Sequence, residues 1–322
     1  MSKILSVEDL RVQYPSQGSL INAVDSVSFS LNRGSSLGIT GESGSGKSTL
    51  AHAIMGIIPS PGKIVEGRIL AGGEDITAMS STRSEQIKGD KIALIFQGAM
   101  NVLNPFYTIN DQMQETIRAH RRRVSKSQSG TLAEESMAKV RLGPEVLDRF
   151  PHELSGGMKQ RVVIAMALML DPDILIADEP TSSLDVIVQA QITNLLKDLQ
   201  RTLGLTLILI THDLGLVAEL SDFVAVMYAG RFVEYGRLTE LYGAPKHPYT
   251  HLLLRSVQRL SGPNVLSYIS GQPPNLQSPP NGCRFNPRCP YVQSKCIDED
   301  PQLTLFGSSH QVACHRSEEK IW

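Results

Sequence analysis

Polar and apolar residues alternate along the first part of the chain, which is typical of antiparallel β-strands with one buried face. The alternation covers residues 4–14 and 23–31, with a Pro/Ser/Gly-rich turn at 15–19 between them. A further pair of short segments at 67–77 has Gly72-Gly73 at its centre, which predicts a hairpin. The N-terminal part is therefore predicted to form an antiparallel β-subdomain.

Uninterrupted apolar runs replace this alternation farther along the chain. They predict buried strands at 36–40, 91–97, 173–178 and 205–211. Four apolar residues in a row at 174–177 cannot be explained by alternating burial, so the strand at 173–178 is expected to be covered on both faces, as in a parallel α/β sheet. Helices are predicted over 49–58, most of 105–150, 162–170 and 185–203, and a hairpin over 224–235. The predicted fold class is α/β.

Composition changes this picture little. The 322 residues are 41% hydrophobic and carry a formal net charge of −1, which does not indicate an electrostatic nucleic-acid binder. The longest apolar run, 162–170, falls far short of the roughly 20 residues that span a bilayer. Acidic residues at 8 and 9 interrupt any N-terminal signal segment. We expect a cytoplasmic protein with at most a peripheral role at the membrane.

Residues 41–49 read GESGSGKST and fit G-x-x-x-x-G-K-[ST], the phosphate-binding loop. A predicted strand precedes the motif and a predicted helix follows it, which is the context that the motif requires. Glycines let successive N–H groups point inward at an anion, and the helix N-terminus adds its positive dipole. The side chain of Lys47 is expected to reach the β- and γ-phosphates, and the Ser48 hydroxyl to ligate Mg²⁺. The predicted nucleotide-binding residues of this loop are Gly41, Ser43, Gly44, Ser45, Gly46, Lys47, Ser48 and Thr49.

Charged and polar side chains follow two of the predicted buried strands. Asp178 is placed to hold Mg²⁺ through water, and Glu179 to orient or deprotonate an attacking water. His212 follows the next strand and is positioned to contact a γ-phosphate, with a purely structural role as the alternative. The Tyr14 ring is either a stacking surface for a purine or part of the core.

A short motif, LSGGMKQR at 154–161, leads into an apolar helix. Ser155 suits an N-cap, and the paired Gly156 and Gly157 let a phosphate approach the backbone at the helix N-terminus. Taken alone, Ser-Gly-Gly is more often an ordinary loop.

These motifs, in this order, resemble those of the ATP-binding cassette (ABC) ATPases over about residues 1–255. The resemblance implies a phosphate-loop core with an N-terminal antiparallel β-subdomain and an inserted helical subdomain at about 105–165. It implies that Tyr14 stacks on adenine and that Gln97 senses Mg²⁺ and water and is a Mg²⁺ ligand. It also implies that Glu179 is the catalytic carboxylate and His212 its γ-phosphate partner. One departure is Met158, where many members carry Gln, but the phosphate-facing Ser155, Gly156 and Gly157 are intact.

The family resemblance also implies partners. Its members pair two cassettes head to tail, with ATP between the phosphate loop of one chain and the signature (154–158) of the other, and the matching loop at Asp185 is counted among the nucleotide-binding residues. We therefore expect a second cassette subunit, as a heterodimer, two transmembrane permease subunits and, indirectly, an extracytoplasmic substrate-binding protein. Residues 98–105 would receive a membrane subunit, which places the chain at the cytoplasmic face of the cell membrane.

The segment 243–254, GAPKHPYTHLLL, and the Pro-His-Glu at 151–153 resemble those of dipeptide and oligopeptide importer ATPases. Nickel, opine and some oligosaccharide importers share this pattern, so import of nickel or an oligosaccharide stays open. From another class, a DNA-repair or ribosome-acting ABC ATPase is the rival. Such proteins typically carry long insertions or two cassettes in one chain, and this chain has neither.

All four cysteines lie in the predicted C-terminal extension, 256–322, at Cys283, Cys289, Cys296 and Cys314. Four cysteines closing on one centre suit a [4Fe–4S] cluster or a Cys₄ zinc site. The spacing is not that of ordinary zinc ribbons, and a proline follows Cys289 as in some cluster-binding runs. Peptide-importer ATPases with a similar tail hold an iron–sulfur cluster, so the resemblance implies a structural or regulatory cluster here. Zinc, free thiols and a redox sensor with a reactive thiol remain alternatives.

Overall fold

The computed structural model describes residues 2–16, 18–121, 123–256, 269–307 and 309–319. The strands are β1 (Lys3–Ser16), β2 (Ser19–Asn32), β3 (Ser36–Thr40), β4 (Lys63–Ala71), β5 (Glu74–Asp75), β6 (Ile92–Ile95), β7 (Ile174–Asp178), β8 (Thr206–Ile210), β9 (Phe223–Tyr228), β10 (Arg231–Arg237), β11 (Thr304–Phe306) and β12 (His310–Val312). The α-helices are α1 (Lys47–Met55), α2 (Ser81–Asp90), α3 (Ile109–His120), α4 (Lys126–Lys139), α5 (Gly156–Leu168), α6 (Val186–Leu203), α7 (Leu214–Leu220), α8 (Leu238–Gly243), α9 (Pro248–Arg255) and α10 (Ser294–Asp298). The predicted start of the C-terminal extension adjoins 257–268, which lie outside the described residues.

Two compact units make up the chain, and each is built from several segments. The first unit comprises Met1–Leu5, Leu31–Ser35 and Leu70–Leu209. The second unit comprises Ser6–Ser30, Ser36–Ile69 and Ile210–Trp322.

The first unit contains parallel strands and the α-helices α2 to α6. Its strands lie in the order β8, β7, β6, and β6 runs parallel to β7 with Ile92 opposite Ile174. Every residue of β7 is buried, as its unbroken apolar run predicted. The predicted helical stretch is divided between α3 and α4, each begun by a serine or threonine N-cap, Thr108 and Ser125.

The second unit contains two sets of strands. Strands β2, β1 and β4 lie side by side and form the predicted N-terminal sheet, and β3, β9, β10, β12 and β11 follow one another in the other set. Strand β3 is parallel to β9, whereas β10 is antiparallel to both β9 and β12. The C-terminal extension thus supplies β11 and β12, two strands that were not predicted from the sequence.

A buried glutamate ties this extension to the sheet of the second unit. Glu234 of β10 has no exposed surface and accepts hydrogen bonds from the backbone N–H of Lys246 and of His247, at 2.6 and 3.0 Å. The ring of His310, in β12, lies 2.6 Å from the same carboxylate. Because a buried carboxylate without partners is costly, these three contacts fix the edge of the sheet against the start of α9.

The helices within the described ranges include none that is long and apolar enough to cross a membrane.

Candidate functional site

The phosphate-loop motif lies between β3 and α1 in the second unit. The backbone at Gly41, Gly44 and Gly46 has φ of 148°, 76° and 104°, values that favour glycine. Two of the three positions are also closed to any side chain. A Cβ at Gly41 would lie 2.1 Å from the carbonyl oxygen of Met227, and one at Gly46 equally close to that of Ala23. The loop is therefore moulded against neighbouring backbone.

The Lys47 side chain bends back over this loop. Its Nζ donates to the carbonyl oxygens of Gly41 and Glu42, both at 2.8 Å, and only 9% of the residue is exposed. Helix α1 begins at this lysine, two residues before the predicted start, so the N-terminal end of the helix dipole is at the loop. The structure thus brings the predicted glycines, the lysine and the helix N-terminus together, an arrangement suited to binding an anion.

The turn between β9 and β10 supports the loop from behind. The N–H of Gly230 donates to the carbonyl oxygen of Ser45 at 2.8 Å, and the N–H of Asp25 donates to the carbonyl oxygen of Gly230 at 2.9 Å. The buried Asp25 carboxylate accepts from three guanidinium groups, those of Arg11, Arg231 and Arg284. Burial by itself would raise the pKa of Asp25, but these arginines hold it below its usual value.

A second set of contacts, which the sequence reading missed, holds residue 42 of the loop. The backbone N–H of Glu42 donates to the Tyr249 hydroxyl at 2.9 Å. The Glu42 carboxylate accepts two hydrogen bonds from Arg288, at 2.6 and 2.9 Å. Arg288 directly precedes Cys289, and no local pattern links it to a loop 246 positions away.

His212 and Tyr14 also belong to the second unit. The buried Thr211, which precedes the histidine, donates its N–H to Ile39 at 3.2 Å, so the histidine follows a residue paired with β3. His212 itself is exposed, and Asp213 after it caps α7. The Tyr14 ring is half-buried, and a Cβ at Gly62 would lie 2.3 Å from it, so the ring packs on that backbone.

The predicted acidic pair lies at the end of β7 in the first unit. Asp178 is buried, 3% exposed, and Glu179 is half-buried. Glu179 has φ of 50°, which is left-handed backbone in a residue that is not glycine. Its carbonyl oxygen accepts from the N–H and the hydroxyl of Ser182, at 3.2 and 3.0 Å, which hold the turn. Strained backbone of this kind persists where the surroundings fix it, and it is enriched at functional sites.

The signature and the Asp185 loop are also in the first unit. Ser155 caps α5 by accepting from the N–H of Met158 at 3.3 Å, and both Ser155 and Gly156 are exposed. The amide of Gln160 donates to the carbonyl oxygen of Pro180 at 2.7 Å, which ties this helix to the turn after Glu179. The Asp185 carboxylate caps α6.

Gln97 follows β6 in the same unit and is exposed. The loop after it has an unusually apolar surface, with Val102 and Phe106 exposed by 67% and 84%. Exposed apolar side chains grouped in one loop are suited to contact with another protein.

The four cysteines surround one small cavity of the second unit. All four are free thiols, and each lines this cavity together with His247, Phe285 and His315. Within the part of the chain that the structure describes, no three or more His, Cys, Asp or Glu side chains are arranged as a metal-ion site. The structure therefore brings the predicted ligands together around one cavity, although the described side chains are not arranged as a metal-ion site.

Burial governs the chemistry of these thiols. It raises the pKa of Cys283 to about 12 and that of Cys314 to about 11, and it also raises the pKa of Cys289. A reactive sensor thiol needs a lowered pKa, so the redox-sensor alternative finds no support in this geometry.

Comparisons with known proteins decide the family. Residues 24–182 match the family described as ABC transporter, and residues 233–296 match the family described as oligopeptide/dipeptide transporter, C-terminal region. The chain is 45% identical to a dipeptide transport ATP-binding protein, DppD, of Caldanaerobacter subterraneus, across 99% of this chain and 98% of that relative. The chain belongs to the ATP-binding subunits of dipeptide and oligopeptide ABC transporters. It is an ATPase of the cassette type.

Further comparisons agree with this assignment. An oligopeptide transport ATP-binding protein, OppD, of Bacillus subtilis is 43% identical across 97% of this chain and 88% of its own length. The dimeric ATP-binding cassette MJ0796 bound to ADP and Pi superimposes with a TM-score of 0.64 at 28% identity, covering 73% of this chain and 98% of the cassette. The predicted fold class is confirmed. The comparisons favour a transport subunit over the alternative hypothesis, a DNA-repair or ribosome-acting ATPase.

Proposed function

We propose that this chain hydrolyses ATP to energise a membrane importer of dipeptides or oligopeptides. The observation that carries the proposal is the moulded phosphate loop, in a chain whose full length matches peptide transport subunits. The peptide substrate comes from the names of those relatives, and nothing in the described structure favours nickel or an oligosaccharide.

We assign nucleotide binding first to the phosphate loop and Lys47. Backbone N–H groups of the loop and the α1 dipole are assigned to the phosphate oxygens. On binding, the ammonium of Lys47 exchanges the carbonyl oxygens of Gly41 and Glu42 for the β- and γ-phosphates. Tyr14, whose ring packs on the Gly62 backbone, is assigned to the adenine through its other face.

Ser48, Asp178 and Gln97 are assigned to magnesium. Hydroxyl, carboxylate and amide oxygens are the donors that this hard cation prefers. The ion neutralises charge on the phosphates when it is bound.

Glu179 and His212 are assigned to hydrolysis. Glu179 accepts a hydrogen bond from the attacking water and positions it, and the left-handed backbone of the residue fixes where its carboxylate emerges from β7. The imidazole of His212 donates to the γ-phosphate, and its exposure leaves the ring accessible.

Ser155, Gly156, Gly157 and Asp185 are assigned to the nucleotide of a partner cassette. The exposed N-terminus of α5 offers backbone N–H groups to an anion that another chain presents. Transport relatives and a dimeric solved cassette support such pairing, and we propose a heterodimer. The apolar loop around Phe106 is assigned to one of two permease subunits, at the cytoplasmic face of the membrane.

The four cysteines are assigned to a [4Fe–4S] cluster with a structural or regulatory role. The support is their convergence on one cavity and their pattern in the sequence. Protein purified without oxygen should be coloured and contain iron and acid-labile sulfide. A colourless protein lacking both would contradict the assignment.

Binding and turnover of ATP by the purified chain and its native partners test the assigned roles. Glu179→Gln should keep ATP affinity and lose turnover, because only the group acting on water is changed. Lys47→Ala should lose affinity itself, because the phosphate loop loses its one ammonium. Normal turnover by Glu179→Gln would refute its role.

A further inference from the structure

The Glu42 residue of the phosphate loop is held at three points. Its N–H donates to the Tyr249 hydroxyl, its carbonyl oxygen accepts from Lys47, and its carboxylate accepts from Arg288. Tyr249 is fully buried, so it is an immobile anchor for the loop backbone. The conformation of the loop thus depends on side chains that the motif does not contain.

The contact between Glu42 and Arg288 is bidentate and largely buried. Only 5% of the Arg288 side chain and 25% of the Glu42 side chain are exposed. The guanidinium Nε also donates to the carbonyl oxygen of Ser270 at 2.8 Å, which orients the planar group. The hydrogen bonds to Glu42 raise the pKa of Arg288, so the guanidinium stays charged. Two parallel hydrogen bonds from one guanidinium fix the orientation of the carboxylate as well as neutralising its charge.

The charge of the Glu42 carboxylate affects nucleotide binding. A carboxylate in the loop that receives a triphosphate repels the incoming anion, and water screens that repulsion poorly at a partly buried site. Arg288 neutralises the Glu42 carboxylate and holds it in one place. Without the arginine, the loop would bear an unpaired negative charge when ATP arrives.

Arg288 belongs to a short segment bounded by two of the cysteines, residues 283–289. Arg284, next to Cys283, donates to the carbonyl oxygen of Ala229, in the turn between β9 and β10, and to the carboxylate of Asp25. Phe285, between the two arginines, is buried against the rings of Tyr228 and Tyr249, with centroids 5.3 and 5.4 Å away. The segment therefore contacts the surroundings of the phosphate loop at both of its ends.

We propose that Arg288 is a positioning residue for nucleotide binding, and that through it the affinity for ATP depends on an intact cysteine site. The inference rests on the proposed function of the loop as the ATP site. It adds a coupling between two sites: a change at Cys289 displaces its neighbour Arg288 and releases the Glu42 carboxylate.

ATP affinity of the full-length chain, measured by equilibrium dialysis with Mg²⁺ present, tests the pair. Arg288→Met should weaken binding about tenfold, a typical size for coupling between sites. Glu42→Gln should bind at least as tightly as the parent, because the repelling charge is gone. In the double variant Glu42→Gln/Arg288→Met, affinity should return to within about threefold of the parent, as expected of two coupled residues.

The double variant separates a charge effect from mere loss of structure. If it binds as weakly as Arg288→Met, or if Arg288→Met binds normally, the proposal is wrong. Arg288→Lys covers the case in which the methionine variant does not fold, and it should be intermediate because it keeps the charge but not the two parallel hydrogen bonds. Hydrogen exchange of the peptide covering 41–49 should quicken in Arg288→Met and Arg288→Lys, and unchanged exchange would contradict the positioning role.

The link to the cysteines has its own measurement. Cys289→Ser should weaken ATP binding by a factor similar to that of Arg288→Met, and much less when Glu42→Gln is also present. Normal ATP affinity in Cys289→Ser would overturn the coupling. A parent protein that binds no ATP at all would instead contradict the proposed function, which keeps the two failures distinct.

Discussion

Two helix N-termini of this chain are suited to phosphate, and they differ in how complete they are. The start of α1 lies behind a glycine loop moulded on neighbouring backbone, with Lys47 folded over it. The start of α5 has a serine cap and a glycine, Ser155 and Gly156, both exposed. At α1, one chain supplies a loop and a lysine that lie together. At α5, the helix N-terminus is exposed at the surface, where another chain can reach it. Under the proposed function, this difference predicts that the chain binds ATP by itself and needs a partner cassette to complete hydrolysis.

The largest effect on ATP affinity is expected when a side chain is added to the phosphate loop at a position that has no room for one. In Gly46→Ala the new Cβ would lie 2.1 Å from the backbone oxygen of Ala23, which cannot move aside. We expect ATP affinity to fall at least about 100-fold, as small misplacements of binding groups do. Gly44→Ala is the matched control, since nothing lies within 4 Å of a Cβ there. Only the strain of its left-handed backbone applies, about 1–2 kcal/mol. Equal losses in a binding assay would contradict the moulded geometry.

The exposed N-terminus of α5 should instead tolerate an added methyl group. A Cβ at Gly156 meets only ordinary contacts, the nearest at 3.6 Å, so Gly156→Ala should be tolerated. Gly156→Asp places a negative charge where the partner's phosphate is expected, and turnover should fall about 100-fold, as when a donor to a reacting oxygen is lost. ATP affinity of the isolated chain should stay unchanged in both variants. A weaker affinity in Gly156→Asp would show that the two helix ends are not separate.

How far the sequence predicted these two regions depends on the range of the contacts. The glycines and Lys47 are recognisable because their spacing is local and dictated by the phosphate. The fold class followed in the same way from runs such as β7. Arg288 was not predictable because its partner is 246 positions away and only the folded chain brings them together. The strands β11 and β12 were missed because three residues are too few for a periodic pattern.

The support behind the phosphate loop should account for a measurable part of stability. Asp25→Asn removes a buried carboxylate that three arginines share, and about 3–5 kcal/mol of unfolding free energy should be lost. Asp173→Asn breaks surface pairs with Arg33 and Lys91, whose own side chains are about half exposed, and should cost about 1 kcal/mol or less. Urea denaturation of both variants measures the difference. Similar losses would mean that Asp25 is not the centre of the support.

The difference in unfolding free energy between the parent and Asp25→Asn should disappear at acid pH. Its pKa in the folded chain lies below the ordinary value of 3.8, so the unfolded chain binds the proton first as pH falls. The stabilisation is complete well above pH 3.8 and is lost as pH falls through the lowered folded pKa. Urea midpoints of parent and Asp25→Asn should therefore converge below about pH 4. A constant gap down to pH 3 would contradict the assigned ion pairs.

Peptide uptake by living cells tests the central claim most directly. A strain carrying Glu179→Gln at the native locus is compared with its parent for uptake of a labelled dipeptide, with the variant expressed and no second peptide system active. Loss of uptake, with the variant still binding ATP, is the result that a peptide importer ATPase requires. Unchanged uptake would contradict the peptide assignment and turn attention to nickel or oligosaccharides.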